Sequence, residues 1–190
     1  VTVYEMLERP LVPVLARMER EGVAVDRKAL EELSKDFAGR MEKLEAEIHR
    51  LAGRPFSVGS PKQLAEVLFD EMSLEVNRQG KSGARSTDAS VLEDLAAMGH
   101  DLPARVLDWR QLQKLKSTYT DALVEEIDSE GRVHTTYGQA VASTGRLSSN
   151  DPNLQNIPVR TEEGRKIRRA FVAPKGSTFV SCDYSQIELR

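Results

Sequence analysis

A chain of 190 residues with 39% apolar content can bury one full core and has length for a second lobe. Its net charge of -3 argues against a general nucleic-acid binder, and its lone Cys182 excludes an intrachain disulfide or a cysteine-built zinc site. No apolar run approaches the roughly 18 residues of a membrane span, and no basic-then-apolar leader follows Val1, so the expected setting is the cytoplasm.

The first half reads as helical. After Asp26, a plausible N-cap, apolar residues recur at Leu30, Leu33, Phe37, Met41, Leu44, Ile48 and Leu51, one continuous stripe that Gly53 closes. Ser60-Pro61-Lys62-Gln63 is a capping box with Pro at the first helical position, which predicts a second helix from Pro61 to about Glu71. A further helix is expected from near Thr87 to Gly99. After "DLP", the pattern Val106, Leu107, Leu112, Leu115, Tyr119, Leu123 and Ile127 predicts a long helix ending before Gly131, with Trp109 in the core. "NRQGKSGARST" lies among these helices as a Gly- and Ser-rich surface loop.

From Arg132 the grammar changes. "RVHTTYGQ", "AFVAP" and "STFVSCDY" are short β-branched or aromatic runs broken by turn residues, so the expected class is α+β, with a boundary near residue 130. In "TFVSCDYS", Phe179, Ser181 and Asp183 would share one face of a strand and leave a carboxylate at its end. His134 reads as structural or near DNA and not as a zinc ligand, because the histidines lack metal-ligand spacing. Charge is segregated in spite of the balanced total. Val76 to Thr87 carries basic residues and no acidic one, and Arg160 to Arg169 carries five basic against two acidic, as expected where only some surfaces meet phosphate.

Between the β-like runs, "STGRLSSNDPNLQNIP" (Ser143 to Pro158) holds almost nothing that builds a core. Asn, Gln, Ser and Arg side chains can offer donors to the minor groove, where base pairs present acceptors in nearly equivalent places, so such a run suits binding by duplex geometry. The other use of such residues is a turn-rich loop whose amides satisfy its own backbone.

"TGRLSSNDPNLQNIP", followed by "DYSQIELR", resembles the first two polymerase-domain motifs of the bacterial family A DNA polymerases, the DNA polymerase I group. "KSGARSTDASVLEDLA" and "QLQKLKSTYTDAL" resemble that family's thumb tip and thumb-to-palm helix, and "LERPLVPVLARMEREGVAVD" resembles the start of its polymerase domain. Several strings in family order are a stronger signal than one short motif. The resemblance implies a start of the polymerase domain over 1-25, a helical thumb over 26-130 and a partial palm over 131-190, ending within the first carboxylate motif. It implies template-directed transfer of dNTPs to a primer 3′ end in replication or repair. The fingers, the second catalytic aspartate and the nucleotide-binding helix would lie beyond Arg190, so the fragment alone is expected to be inactive.

Site residues follow from the same resemblance. Asp183 is the first anchor of a two-Mg²⁺ site, with the Tyr184 carbonyl as a further ligand; the competing role for Asp183 is a helix N-cap. Glu188 is a steric gate against a 2′-hydroxyl and completes the catalytic set with Asp183 and Arg146. Tyr184, Ser185, Gln186 and Glu188 lie about the nucleotide. Arg146 faces the primer-terminal minor groove, Asn153, Gln155 and Asn156 face the template or nascent pair, and Thr144 and Ser148 hold backbone. In the thumb, Lys81, Arg85, Ser86 and Thr87 with Lys114, Lys116, Ser117 and Thr118 suit nonspecific phosphate contacts. Ala140 and Ala142 stand where relatives often carry threonine, so the resemblance implies that supporting hydrogen bonds are missing there. Primer-template DNA and, in a complete polymerase, a dNTP are the expected partners, without a membrane; exposed palm surface offers a route to self-association. The alternatives are a noncatalytic DNA-binding module and a helical interaction protein that pairs through the Leu30 to Leu51 stripe.

Overall fold

The computed structural model describes residues 1–75, 85–186 and 189. The described residues form two compact units, one made of 1–31 with 119–190 and the other of 32–118. Small antiparallel strand pairs accompany the helices, which is the expected α+β class.

A π-helical turn, Tyr4–Glu8, leads into α1 (Arg9–Glu21), and β1 (Val23–Ala24) follows Gly22. Helix α2 (Arg27–Ala52) starts where Asp26 Oδ1 accepts from the Ala29 amide at 3.1 Å and stops before Gly53, as its sequence predicts. Next comes α3 (Pro61–Ala65), continued by a π-helical turn Glu66–Glu71, so the segment ends at the expected residue. The capping box is half formed. Ser60 Oγ accepts from the Gln63 amide at 3.4 Å, but Gln63 Oε1 accepts from Ser57 N–H at 2.8 Å and does not return to Ser60.

Helix α4 (Ala89–Ala97) is followed by α5 (Asp101–Leu115), a π-helical turn Lys116–Asp121 and α6 (Ala122–Glu125). The helix expected after "DLP" therefore begins at Asp101, with Pro103 inside its first turn. Proline is tolerated there because the first-turn amides have no intrahelical acceptor to lose. In the 32–118 unit, Ile48 of α2, Leu64, Val67, Leu68 and Phe69 of the second helical segment, Leu92 and Leu95 of α4, and Val106 and Trp109 of α5 form one core. Trp109 is thus core, as expected, although its Nε1 has no hydrogen-bond partner.

In the other unit, β2 (Arg132–Val133) pairs antiparallel with β1 (Val23 opposite Val133), and Val25 bridges Phe171. β3 (Thr136–Gly138) pairs with β4 (Ser148–Asn150), and α7 (Glu162–Arg169) follows. Gly22, at φ +63, is obligatory in this junction, since a Cβ there would lie 2.8 Å from the His134 ring and from the Val133 carbonyl. "STFVSCDY" departs from expectation: residues 177–184 form no strand, and Phe179, Val180 and Tyr184 are 63%, 78% and 80% exposed. Alternation prepares a strand, but a ladder needs a neighbour, and no described residue pairs with this run.

His134 has contacts within the fold, which fits the structural one of its two expected readings. Its Nδ1 lies 2.7 Å from the Glu19 carbonyl at the end of α1, and its Nε2 lies 3.0 Å from Asp128 Oδ2. Both partners accept, so the doubly protonated ring serves both. The Asp128 hydrogen bond raises the His134 pKa above its ordinary 6.5, helped by the Glu19 carbonyl and opposed by burial and by Arg132. Asp128 is lowered below 3.8 first by His134 and then by the Arg132 amide. Arg132 also donates to the carbonyls of Glu21 (3.1 Å) and Gly22 (3.2 Å) and pairs with the Glu21 carboxylate at 3.5 Å. A raised histidine stabilises fully below its unfolded pKa, near 6.5, and loses this as pH climbs through the folded value. A lowered aspartate stabilises above its unfolded pKa, near 3.8, and loses this as pH falls through the folded value. The stability gap between wild type and His134→Gln is therefore expected to be widest between these two values and to shrink toward pH 8. Thermal melts across that range check it, and a gap that widens above pH 7 would contradict the assigned charge state.

Candidate nucleic-acid interface

The polar stretch from Ser143 to Pro158 is held from behind by buried hydroxyls. Thr135, 5% exposed at the head of β3, places Oγ1 2.7 Å from Ser149 Oγ, 2.9 Å from the Asn150 carbonyl and 2.8 Å from the Pro152 carbonyl. Ser149, 1% exposed, accepts from the Leu154 amide at 3.1 Å. Tyr119, buried on the π-helical turn, donates its phenol hydrogen to the Asn156 carbonyl, and burial raises its pKa above the ordinary 10.0. The Asp151-Pro152 bond is cis. With its main chain tied down in this way, the stretch exposes Thr144, Arg146, Asn153, Gln155 and Asn156.

Some of these side chains also work within the loop. Asn153 Oδ1 accepts from the Gln155 amide at 3.0 Å, and Gln155 Nε2 donates to the Leu147 carbonyl at 2.9 Å. Ser148 is half-buried, and its hydroxyl accepts from Asn150 Nδ2 at 3.2 Å. β3 and β4 lie close because Gly138 faces Ser148: a Cβ at Gly138 would sit 2.5 Å from Ser148 Oγ.

Asp183, Tyr184, Ser185 and Gln186 are exposed on the strandless C-terminal run. That run flanks a cavity of about 490 Å³ lined in part by Tyr137, Leu154, Ile157, Phe171, Phe179 and Val180. Glu188 lies outside the described residues. Among the described residues no group of three His, Cys, Asp or Glu side chains comes together.

In the helical unit, Lys114, Ser117 and Thr118 are exposed and Lys116 is half-buried. The Ser117 hydroxyl donates back to the Gln113 carbonyl at 2.9 Å. Arg85 pairs with the Asp70 carboxylate and lies over the Phe69 ring, 5.2 Å from its centroid. The half-buried Ser86 accepts from the Asp88 amide at 3.1 Å. Thr87 differs from an open phosphate contact: it is 7% exposed and accepts from Arg110, whose pKa burial pulls below that of a free guanidinium. Lys81 lies outside the described residues. Sequence reasoning missed Tyr119, Thr135 and Arg110, because each acts on a partner far along the chain; the one available signal was that a buried Tyr or Arg must find an acceptor.

The model of DNA polymerase family A matches residues 27–190. The chain belongs to DNA polymerase family A. Among curated relatives of this family A chain, DNA polymerase I of Rhizobium leguminosarum is 58% identical over 190 residues, which are 100% of this chain and 19% of that protein. The thermostable DNA polymerase I of Thermus aquaticus is 52% identical over 189 residues, 98% of this chain and 23% of that one. A solved structure, the POL domain of Pol1 from M. smegmatis in complex with DNA primer-template and dNTP, matches with a TM-score of 0.85 at 42% identity over 93% of this chain and 31% of that chain. This family A chain thus spans about a fifth of the length of these curated relatives.

Proposed function

We propose that the chain is the thumb and the first part of the palm of a DNA-directed DNA polymerase, acting in replication or repair in the bacterial cytoplasm. The observation that carries this is the polar stretch: a main chain tied by Tyr119, Thr135 and Ser149, with Arg146, Asn153, Gln155 and Asn156 exposed. Exposed donors on a tethered main chain suit a duplex read by its geometry. The family A neighbour is a complex with DNA primer-template and dNTP, which supports the same partners here. The absence of any helix long and apolar enough to cross a membrane among the described residues is compatible with this setting.

In this reading Arg146 sits at the primer terminus, the three amides face the template and nascent pair, and Thr144 and Ser148 hold backbone. Arg85, Ser86, Lys114, Lys116, Ser117 and Thr118 meet phosphates, Arg85 by exchanging Asp70 for a phosphate oxygen. Tyr184, Ser185, Gln186 and Glu188 border the nucleotide.

Asp183 fits magnesium in kind but not in number. A hard cation takes oxygen ligands, and the carboxylate is exposed, yet no group of three His, Cys, Asp or Glu side chains able to hold a metal forms among the described residues. Asp183, with the Tyr184 carbonyl, is thus one part of a ligand set. Bound magnesium would stabilise charge on the attacking and leaving oxygens. What this chain's own residues do is hold the duplex and orient the primer end.

The 190-residue chain is accordingly expected to bind primer-template DNA weakly, without sequence preference and less tightly as salt rises, but not to extend the primer with Mg²⁺ and all four nucleotides. Fluorescence anisotropy beside a primer-extension gel checks this, with Asp183→Ala as the control for host polymerase. No binding at low salt would overturn the reading, and extension abolished by Asp183→Ala would overturn the expected inactivity.

A further inference from the structure

We propose that the outward face of α7, built from Arg165, Lys166 and Arg169, is a second contact surface for the phosphodiester backbone of duplex DNA. The proposal rests on the polymerase reading and adds a surface outside the motifs that led to it. Arg165 and Arg169 are four residues apart, hence on one face of the helix, and both are exposed. Lys166 is half-buried and pairs with Glu162 at 3.3 Å. Among the described residues neither Arg165 nor Arg169 has an acidic partner within ion-pair distance.

The position of this face is fixed. Thr161 caps α7 by accepting from the Gly164 amide at 3.1 Å, and Ile167 is fully buried. Gly164 lies so close to Pro158 that a Cβ would be 2.4 Å from its carbonyl oxygen. Pro158 ends the polar stretch whose amides face the duplex in the proposed function. The helix is therefore seated on the end of that stretch.

The helix dipole favours cations in a last turn and accounts for Lys166, Arg168 and Arg169. It does not account for Arg165 with Arg169, since like charges four apart weaken a helix. A phosphate backbone relieves that repulsion and releases condensed counterions. Arg168 is not part of this face; it lines the cavity beside Phe179.

The test is anisotropy with a short fluorescent duplex of arbitrary sequence, titrated with the 190-residue chain at several salt concentrations. Removing two phosphate contacts by Arg165→Gln with Arg169→Gln is expected to make the log-log salt slope shallower by about two units. Arg165→Lys with Arg169→Lys, which keeps the charge, is expected to keep the wild-type slope, with superimposable melting curves for all three proteins. An unchanged slope in the Gln pair would overturn the α7 surface, and if Arg85→Gln with Lys114→Gln still flattened the slope, the duplex-gripping reading would stand without it. A Lys pair that loses as much as the Gln pair would overturn it too, since charge would not be the cause. Failure of the wild-type chain to bind at low salt would remove both the reading and the surface.

Discussion

In a polymerase containing this sequence, Asp183→Ala is expected to cut single-turnover primer extension by about a hundred- to a thousandfold, the cost of losing one preorganised electrostatic group at a reacting centre. Duplex affinity should stay nearly unchanged. The separation follows from where the residue sits. Asp183 is exposed on a run without regular structure, so removing its carboxylate opens no cavity and breaks no ladder. The grip on DNA is assigned to other residues, on the polar stretch and the long helices. Extension and anisotropy measured on one preparation check this. An Asp183→Ala protein that extends normally, or that loses binding in step with extension, would remove Asp183 from the metal site.

The second large effect concerns stability. Leu92 is fully buried in the core of the helical unit, beside side chains of α3 and α5. Leu92→Ala is expected to cost about 3 kcal/mol, from the lost transfer energy of the removed carbons and the cavity left behind. Leu7→Ala offers the contrast, since Leu7 is 64% exposed and its truncation should change stability by about 0.5 kcal/mol or less. Urea titration of the three proteins checks both values, and equal losses in the two variants would place the core elsewhere.

The helices were legible because their signals are local. Asp26 caps, the stripe from Leu30 to Leu51 repeats at three and four, and Gly53 stops α2, so both ends of that helix were set by sequence. The π-helical turns were not legible from such signals. Leu115, Tyr119, Leu123 and Ile127 follow one another at steps of four, each of which oversteps a turn of about 3.6 residues. The wider turn at Lys116–Asp121 takes up part of that overstep. Residues 177–184 were misread for a different reason: alternation describes what a strand offers, and pairing depends on a partner that the run does not contain. At the site, the residues that face outward could be named from their chemistry. Those that fix them could not, since Tyr119 reaches Asn156 across 37 positions and Arg110 reaches Thr87 across 23.

Thr135 and Ser149 have a consequence for how this sequence can change. Each hydroxyl carries one hydrogen, and one of the two lies between Thr135 and Ser149 at 2.7 Å, which leaves one to be shared between the carbonyls of Asn150 and Pro152. Losing the Thr135 hydroxyl takes a partner from Ser149 and from both carbonyls, and losing that of Ser149 leaves the Leu154 amide without its acceptor as well. A double-mutant cycle with Thr135→Ala and Ser149→Ala should therefore show coupling between the two positions. For a lineage drifting one substitution at a time, every single exit from this pair is uphill. Positions 135 and 149 should then be inherited together, or replaced only along with the turn they hold.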